Sequence, residues 1–462
     1  MQKLLLGASF LFHMLAAGIL LAQNAAPSSS TKPNIVLIVG DDMGYADVGF
    51  HGCKDIPTPH LDKLAAVGTR FTNGYVTGPY CSPTRAGLLT GRYQQRFGHE
   101  FNPGVATGLP TTEKTIADHL KAAGYKTALV GKWHLGDRPE YHPHLRGFET
   151  FYGFLGGAHD YFDDKGILRG NEPVQEKEYL TDAFAREAEV YIEKQKANPF
   201  FLYLAFNAVH TPMQADDPRL QKFAHIEDKQ RRTYAAMMSA MDDAIGRVIA
   251  KLKATGTDKN TLVMFISDNG GPTMPGVTVN GSINKPLRGS KRTTLEGGIR
   301  VPFVVHWPGK FESSTYEHPV IQLDLHATML AAAGAKPPVE FKADGVDLYT
   351  YVSNATNKPP HDALYWRFGS QSAIRMGAYK LVRYDTTADL DPNLPKTTSK
   401  AKLYNLKDDI GETKDLAAEM PEKVRELQAK WDAWNAELAK PLWGGNPAAK
   451  GQGKKKNAPK NE

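Results

Sequence analysis

Residues 79 to 93 read PYCSPTRAGLLTGRY and contain one of the two cysteines of the chain. Ser82 followed by Pro83 predicts a helix start, with Ser82 as N-cap, Pro83 in the first helical position, and Ala86, Leu88 and Leu89 facing inward. Cys81 then lies beside the positive end of a helix, where an anion is welcome. Further chargeable residues stand in short clusters: Asp41-Asp42, Lys132-Trp133-His134, His210, Asp268-Asn269, and Lys291 within LRGSKRTTLEGG. Asp41, Asp42, Asp268 and Asn269 are all oxygen donors, which suits a hard divalent cation such as Ca²⁺ or Mg²⁺ and poorly suits Zn²⁺. Arg85, Lys132, His134, His210 and Lys291 supply positive charge. Several cations converging near a metal repel one another unless an anion is bound between them, so the set describes a pocket for a sulfate or phosphate group. Singly, Asp41-Asp42 reads as a polar turn and Lys291 as a surface charge; the combination is what points to chemistry.

These clusters need elements that bring them together, and four of them adjoin an apolar run. NIVLIVG (34–40) leads into Asp41-Asp42, YKTALVG (125–131) into Lys132, PFFLYLAFNAVH (199–210) ends at His210, and NTLVMFISDNG (260–270) contains Asp268-Asn269. Between them lie helical patterns at 60–68, 116–124, 180–195 and 233–256, with a last unit through 301–309 and 323–334. This alternation predicts an α/β fold, a mainly parallel sheet sandwiched by helices. Ligands of such sheets bind beyond the carboxyl ends of the strands, where the four clusters fall. After about residue 345 come short strands separated by turns, 363–369, 372–377, 379–384 and 402–406, then an amphipathic helix at 421–438. The expected organisation is a leader at 1–25, a catalytic domain at 26–345, a smaller C-terminal α+β domain with an antiparallel sheet at 346–445, and a basic tail at 446–462.

The run Cys81-Ser82-Pro83-Thr84-Arg85, continued to Thr90-Gly91-Arg92, resembles the signature of the formylglycine-dependent sulfatases of the alkaline phosphatase superfamily. The similarity extends to Asp41-Asp42, Gly131-Lys132-Trp133-His134, His210-Thr211-Pro212, Ser267-Asp268-Asn269-Gly270 and Lys291. The resemblance implies that Cys81 is oxidised by a formylglycine-generating enzyme to an aldehyde. Of the two hydroxyls on its hydrate, one attacks the sulfur of a sulfate monoester; deprotonating the other expels sulfate. It further implies a cation, Ca²⁺ with Mg²⁺ as the alternative, held by Asp41, Asp42, Asp268, Asn269 and residue 81. Arg85 would orient the hydrate, His134 would take its proton, Lys132 and Lys291 would clamp sulfate oxygens, and His210 would serve the leaving oxygen. His159 and Asp160, in FLGGAHDYF, are candidate substrate contacts, with structural roles as the alternative. Thr84 stands where many members of the family carry serine, and Ala158 where some arylsulfatases do.

The competing functions are a phosphate or phosphonate ester hydrolase of the same superfamily and a catalytically silent glycan-binding homologue. A thiol phosphatase places arginine six residues beyond its cysteine, whereas Arg85 is four beyond Cys81. A disulfide between Cys53 and Cys81 is the plain structural alternative. Similarity to polysaccharide-desulfating members in 147–162 and 364–382 favours a sulfated sugar as substrate.

The 462 residues carry a net charge of +6, much of it in the tail 450–462, which has five lysines against one glutamate. The body is near neutral, so nothing calls for a nucleic-acid partner or a stable membrane association. The N-terminus, one lysine followed by an apolar stretch and small polar residues, predicts a cleaved signal peptide and export to the periplasm or exterior, with a single membrane anchor as the competing reading. Few cysteines favour a periplasmic or secreted protein over a lysosomal one, while N-glycosylation sequons at Asn280 and Asn354 leave the lysosomal alternative open.

Overall fold

The computed structural model describes residues 32–104, 106–353, 358–391 and 396–444. The predicted leader, the basic tail and Asn354 lie outside the described residues. Five parallel strands form the centre of a ten-stranded sheet, in the spatial order Thr261–Ser267, Asn34–Gly40, Phe200–Ala205, Lys126–Lys132 and Thr150–Phe154. Phe303–His306 runs antiparallel beside Thr261–Ser267. The expected α/β architecture is therefore present.

The strand sequences explain why both faces are covered. In Asn34–Gly40, Ile35, Leu37 and Val39 enter one core, while Val36 and Ile38 enter the other. Strands buried on two sides must be apolar throughout, because successive side chains point to opposite faces. One face receives the helices Leu180–Gln195 and Lys229–Ala254; the other receives Cys81–Thr90, Ile116–Ala122 and Leu323–Ala333. Leu180–Gln195 has the expected helical spacing, with Leu180, Ala183, Phe184, Ala188, Tyr191 and Ile192 buried; each large apolar side chain among them contributes roughly 1–3 kcal/mol of hydrophobic stabilisation. Gly40 lies opposite Ser267, and Ala205 opposite both Val39 and Gly131. The carboxyl ends of these strands are thus level, and the segments leaving them meet in one place.

One local expectation is corrected. The helix starts at Cys81, not after Ser82; its N-cap is Tyr80, whose side chain makes no capping bond. Ser82 is a helical residue whose hydroxyl donates to the His134 carbonyl at 2.7 Å and lies 2.7 Å from His99 Nε2. Tertiary partners on both sides outbid the local capping preference.

The second sheet is antiparallel, in the order Leu364–Phe368, Gln371–Met376, Tyr379–Arg383 and Lys402–Asn405. The helix Pro421–Ala436 covers it with Leu427 and Trp434. Lys380, fully buried, joins this sheet to the segment that carries Glu296: its Nζ lies 2.8 Å from Glu296 and 2.9 Å from Glu412. Trp366 Nε1 donates to the Val76 carbonyl at 2.7 Å. Among the described residues no helix is long and apolar enough to cross a membrane.

Candidate active site

Asp41 and Asp42 follow the first strand directly, and Asp42 takes a left-handed conformation (φ 60°) that turns its carboxylate beside that of Asp41. The Asp268 backbone N–H donates to Gly40 O at 3.0 Å, and the Asp42 N–H donates to Asp268 Oδ1 at 3.2 Å. Cys81, the first residue of its helix, points its thiol between them, 3.6 Å from Asp41 Oδ1 and 3.9 Å from Asp42 Oδ1. Potential ligand atoms of Asp41, Asp42, Cys81 and Asp268 all lie within 4.8 Å of one another, and all four residues are buried. Asn269 donates from Nδ2 to Asp42 Oδ1 at 2.7 Å, while its buried Oδ1 has no hydrogen-bond partner among the described residues. An orphaned amide oxygen beside three carboxylates fits a hard divalent cation, which takes oxygen ligands and offsets their mutual repulsion.

Positive groups surround this cluster. Lys132 Nζ lies 2.5 Å from Asp41 Oδ2, and Lys291 Nζ lies 2.7 Å from Asp42 Oδ2. Arg85 grips Asp268 Oδ2 through Nε at 3.1 Å and Nη2 at 2.8 Å, and its Nη2 lies 3.6 Å from Asp41. His210 Nε2 faces Asp42 Oδ2 at 3.6 Å, while its Nδ1 lies 2.6 Å from the Thr211 carbonyl, which makes Nδ1 the protonated nitrogen of the neutral ring. His134 is held at φ 59°, its N–H donating to Leu155 O at 3.0 Å. Its buried Nδ1 is without a partner among the described residues.

Burial and neighbouring charge set the protonation states. For Asp41, burial alone would favour the neutral acid; Lys132, His210, Arg85 and Lys291 outweigh it and hold the carboxyl far below its usual range. Burial, together with the charges of Lys132 and Arg85, pushes His134 well down, leaving a neutral imidazole able to accept a proton. Burial, reinforced by Asp268, pushes the Cys81 thiol well up despite Lys132 and Lys291.

Of the residues expected from sequence, Asp41, Asp42, Cys81, Arg85, Lys132, His134, His210, Asp268, Asn269 and Lys291 converge on this centre. His159 and Asp160 lie in a neighbouring loop with their polar atoms engaged. His159 is 2.6 Å from Asp160 O and 3.1 Å from Lys165 O; Asp160 accepts from Gln214 Nε2 at 2.8 Å and from the Phe162 N–H at 2.9 Å. Cys53 and Cys81 are both free thiols, so the disulfide alternative is not realised.

The sequon at Asn280 is also corrected, since the residue is fully buried. Its Nδ2 donates to Asp42 O at 3.0 Å and Val209 O at 2.9 Å, fixing the turn that carries Asp42. The sequence marks Asn280 only as a sequon, and no local signal reveals its positioning role. Ser82, which ties the Cys81 helix to His134, is likewise hidden behind its capping propensity.

A parallel sheet that gathers oxygen ligands, lysines and a neutral histidine around a buried residue defines a hydrolase for esters of a multiply oxygenated anion. The Sulfatase family model matches residues 33–335, and the model described as N-sulphoglucosamine sulphohydrolase, C-terminal, matches residues 289–430. Arylsulfatase J of Mus musculus is 33% identical, covering 89% of this chain and 77% of its own length. N-acetylgalactosamine-6-sulfatase of Mus musculus is 36% identical, covering 82% and 75%. The crystal structure of Ps i-CgsB in complex with k-i-k-neocarrahexaose superposes with a TM-score of 0.81 at 37% identity, covering 91% of this chain and 96% of the other. The chain belongs to the sulfatase family and is a sulfuric ester hydrolase.

Proposed function

We propose that this enzyme removes sulfate from a sulfated carbohydrate, with Cys81 matured to formylglycine and a divalent cation, Ca²⁺ before Mg²⁺, held by Asp41, Asp42, Asp268 and Asn269. The observation that carries the reading is the buried Cys81 seated between two aspartates, each of which is paired with a lysine. The family of which the chain is a member uses a metal and formylglycine in general. Relatives named for N-acetylgalactosamine-6-sulfate, and a neighbour crystallised with a neocarrahexaose, support a sugar substrate.

The cation would supply Lewis acidity to the bound ester and lower the pKa of a hydroxyl beside it. The aldehyde would supply a carbon that carries both the attacking hydroxyl and the hydroxyl whose ionisation releases sulfate. Lys132 and Lys291, paired with Asp41 and Asp42, contact sulfate oxygens and stabilise charge that develops on them. His134 is neutral and takes a proton at a ring nitrogen. His210, fixed through Nδ1, presents Nε2 toward the leaving oxygen. Arg85 positions Asp268 and the charge around residue 81. The leader predicted at 1–25 supports export, and a formylglycine-generating enzyme is the expected maturation partner.

Two measurements test this. The mass of the tryptic peptide spanning residue 81, from the native host, should correspond to the aldehyde. Cys81→Ala should lower hydrolysis of an aryl sulfate by about 10³-fold or more, as expected for loss of a nucleophile. Full activity with an intact thiol at position 81 would refute the mechanism, and faster hydrolysis of aryl phosphate than aryl sulfate would favour the phosphate ester reading.

A further inference from the structure

Arg292 follows Lys291 directly, yet it is exposed where Lys291 is buried. Its backbone is left-handed, with φ 72°, a conformation that strains a bulky residue and that glycine would adopt freely. The strain is held from two sides. The Arg292 N–H donates to Pro79 O at 2.7 Å, and Gln371 Nε2, from the second sheet, donates to Arg292 O at 2.8 Å. The guanidinium itself is scarcely used: Nη1 donates to Gly276 O at 3.3 Å, and it pairs with no carboxylate among the described residues.

Beside it stands Tyr80, partly exposed and next in the chain to Cys81. Arg292 Cζ lies 5.9 Å from the centre of the Tyr80 ring, and Lys291 Nζ lies 5.4 Å from it. Phe368 packs edge-on against Tyr80 at 5.8 Å, and Phe101 against Phe368 at 5.0 Å, so the ring is braced from behind. Lys291 is therefore common to both sites: its ammonium touches Asp42 in the sulfate pocket and sits over the aromatic ring at the rim. A braced aromatic face offers the apolar C–H face of a sugar ring a flat partner. A guanidinium alongside with no carboxylate partner offers bidentate binding to a second oxyanion.

We propose that Tyr80 and Arg292 form a recognition rim that selects a glycan bearing a second anionic group close to the scissile sulfate. Tyr80 stacks on the sugar, and Arg292 binds the additional sulfate or carboxylate. The proposal rests on the sulfatase reading above and specifies its substrate class.

The test uses three soluble substrates: a disaccharide with one sulfate and no other charge, one with a second sulfate, and one with a uronate carboxylate. Wild type should prefer at least one of the doubly charged sugars. Arg292→Ala should raise KM for that sugar by about tenfold to a hundredfold with kcat little changed, and the effect on the singly charged sugar should be several-fold smaller. Arg292→Gly removes the backbone strain, so it should melt at the same or a higher temperature while losing the same preference; that separates recognition from folding. Tyr80→Leu should raise KM for all three sugars. Which doubly charged sugar loses most tells sulfate from carboxylate. Equal loss on singly and doubly charged sugars in Arg292→Ala, or no loss at all, overturns the proposal while the sulfatase reading stands. Failure of the wild type to hydrolyse any sulfate ester overturns that reading instead.

Discussion

A single residue can disturb this centre without carrying any chemistry itself. Gly157 adjoins His134 so closely that a Cβ added there would fall 2.4 Å from His134 Nε2 and 2.7 Å from Cε1. Gly157→Ala must push the imidazole away from its present position. We expect kcat to fall by about tenfold to a hundredfold, since displacing a reacting group by an ångström has effects of that size, while circular dichroism and the melting temperature stay near wild type. Normal kcat would mean that His134 is not the base. Asn280→Ala makes the complementary test: it leaves the Asp42 and Val209 carbonyls without their buried donor, at a cost of about 1–3 kcal/mol in denaturant unfolding. Activity should fall as well, because the Asp42 turn loses its anchor. The residues that converge on this centre are legible in the sequence because their types stand out in combination. The role of Asn280 is not, because a buried amide that holds carbonyls 238 and 71 residues away leaves no trace in its neighbours.

At the scale of elements, the centre depends on how closely the parallel strands approach at their carboxyl ends. Gly131, at φ 116°, faces Ala205 on one side and Gly153 on the other. A Cβ on Gly131 would lie 1.9 Å from Ala205 O, and one on Gly153 would lie 2.0 Å from Gly131 O. Gly131→Ala would force neighbouring strands apart immediately before Lys132 and His134. The expected result is a loss of about 3 kcal/mol or more in urea unfolding, a large value that follows from backbone strain in the core of the sheet. A stable, active variant would show that the strand spacing is more forgiving than the geometry states. Strand and helix positions are legible from periodicity, as in Leu180–Gln195, whose buried face repeats every three or four residues. The start of the helix at Cys81 is not, because Ser82 has the local chemistry of a cap, and only its contacts to His99 and His134 reveal another task.

Across the whole molecule, the second sheet is fastened to the segment before it by a buried charge group in which Glu296 and Glu412 share Lys380. Burial pushes Glu412 up to about 7, with Lys380 opposing and Glu296 adding to it. Its folded pKa is thus above its ordinary value, so the folded state holds the proton more tightly than the unfolded chain. The stability this confers is present below the ordinary pKa and is lost as pH rises through about 7. Wild type should therefore lose stability between about pH 5 and about pH 8, and Glu412→Gln should flatten that slope; an unchanged slope removes Glu412 as its source. Lys380→Ala strands two buried carboxylates and should cost about 3–5 kcal/mol. Chelation offers a further global test. Removing a bound divalent ion should lower the melting temperature, and Ca²⁺ should restore it increasingly as its concentration rises; a melting temperature indifferent to chelator would argue against a resident ion.

The sequence by itself determined the kind of chemistry and the kind of scaffold. Oxygen donors, lysines and histidines placed after apolar β-rich runs carry that information locally, through residue type and spacing. Only the tertiary structure decided which side chains share a space: Asn269 Oδ1 left open beside three carboxylates, Asn280 under Asp42, Gly157 against His134, and Arg292 strained at the rim beside Tyr80. Most of those relations join residues far apart in the chain. Folding sets them through register, close approach and burial, and none of the three is written in any one stretch of residues.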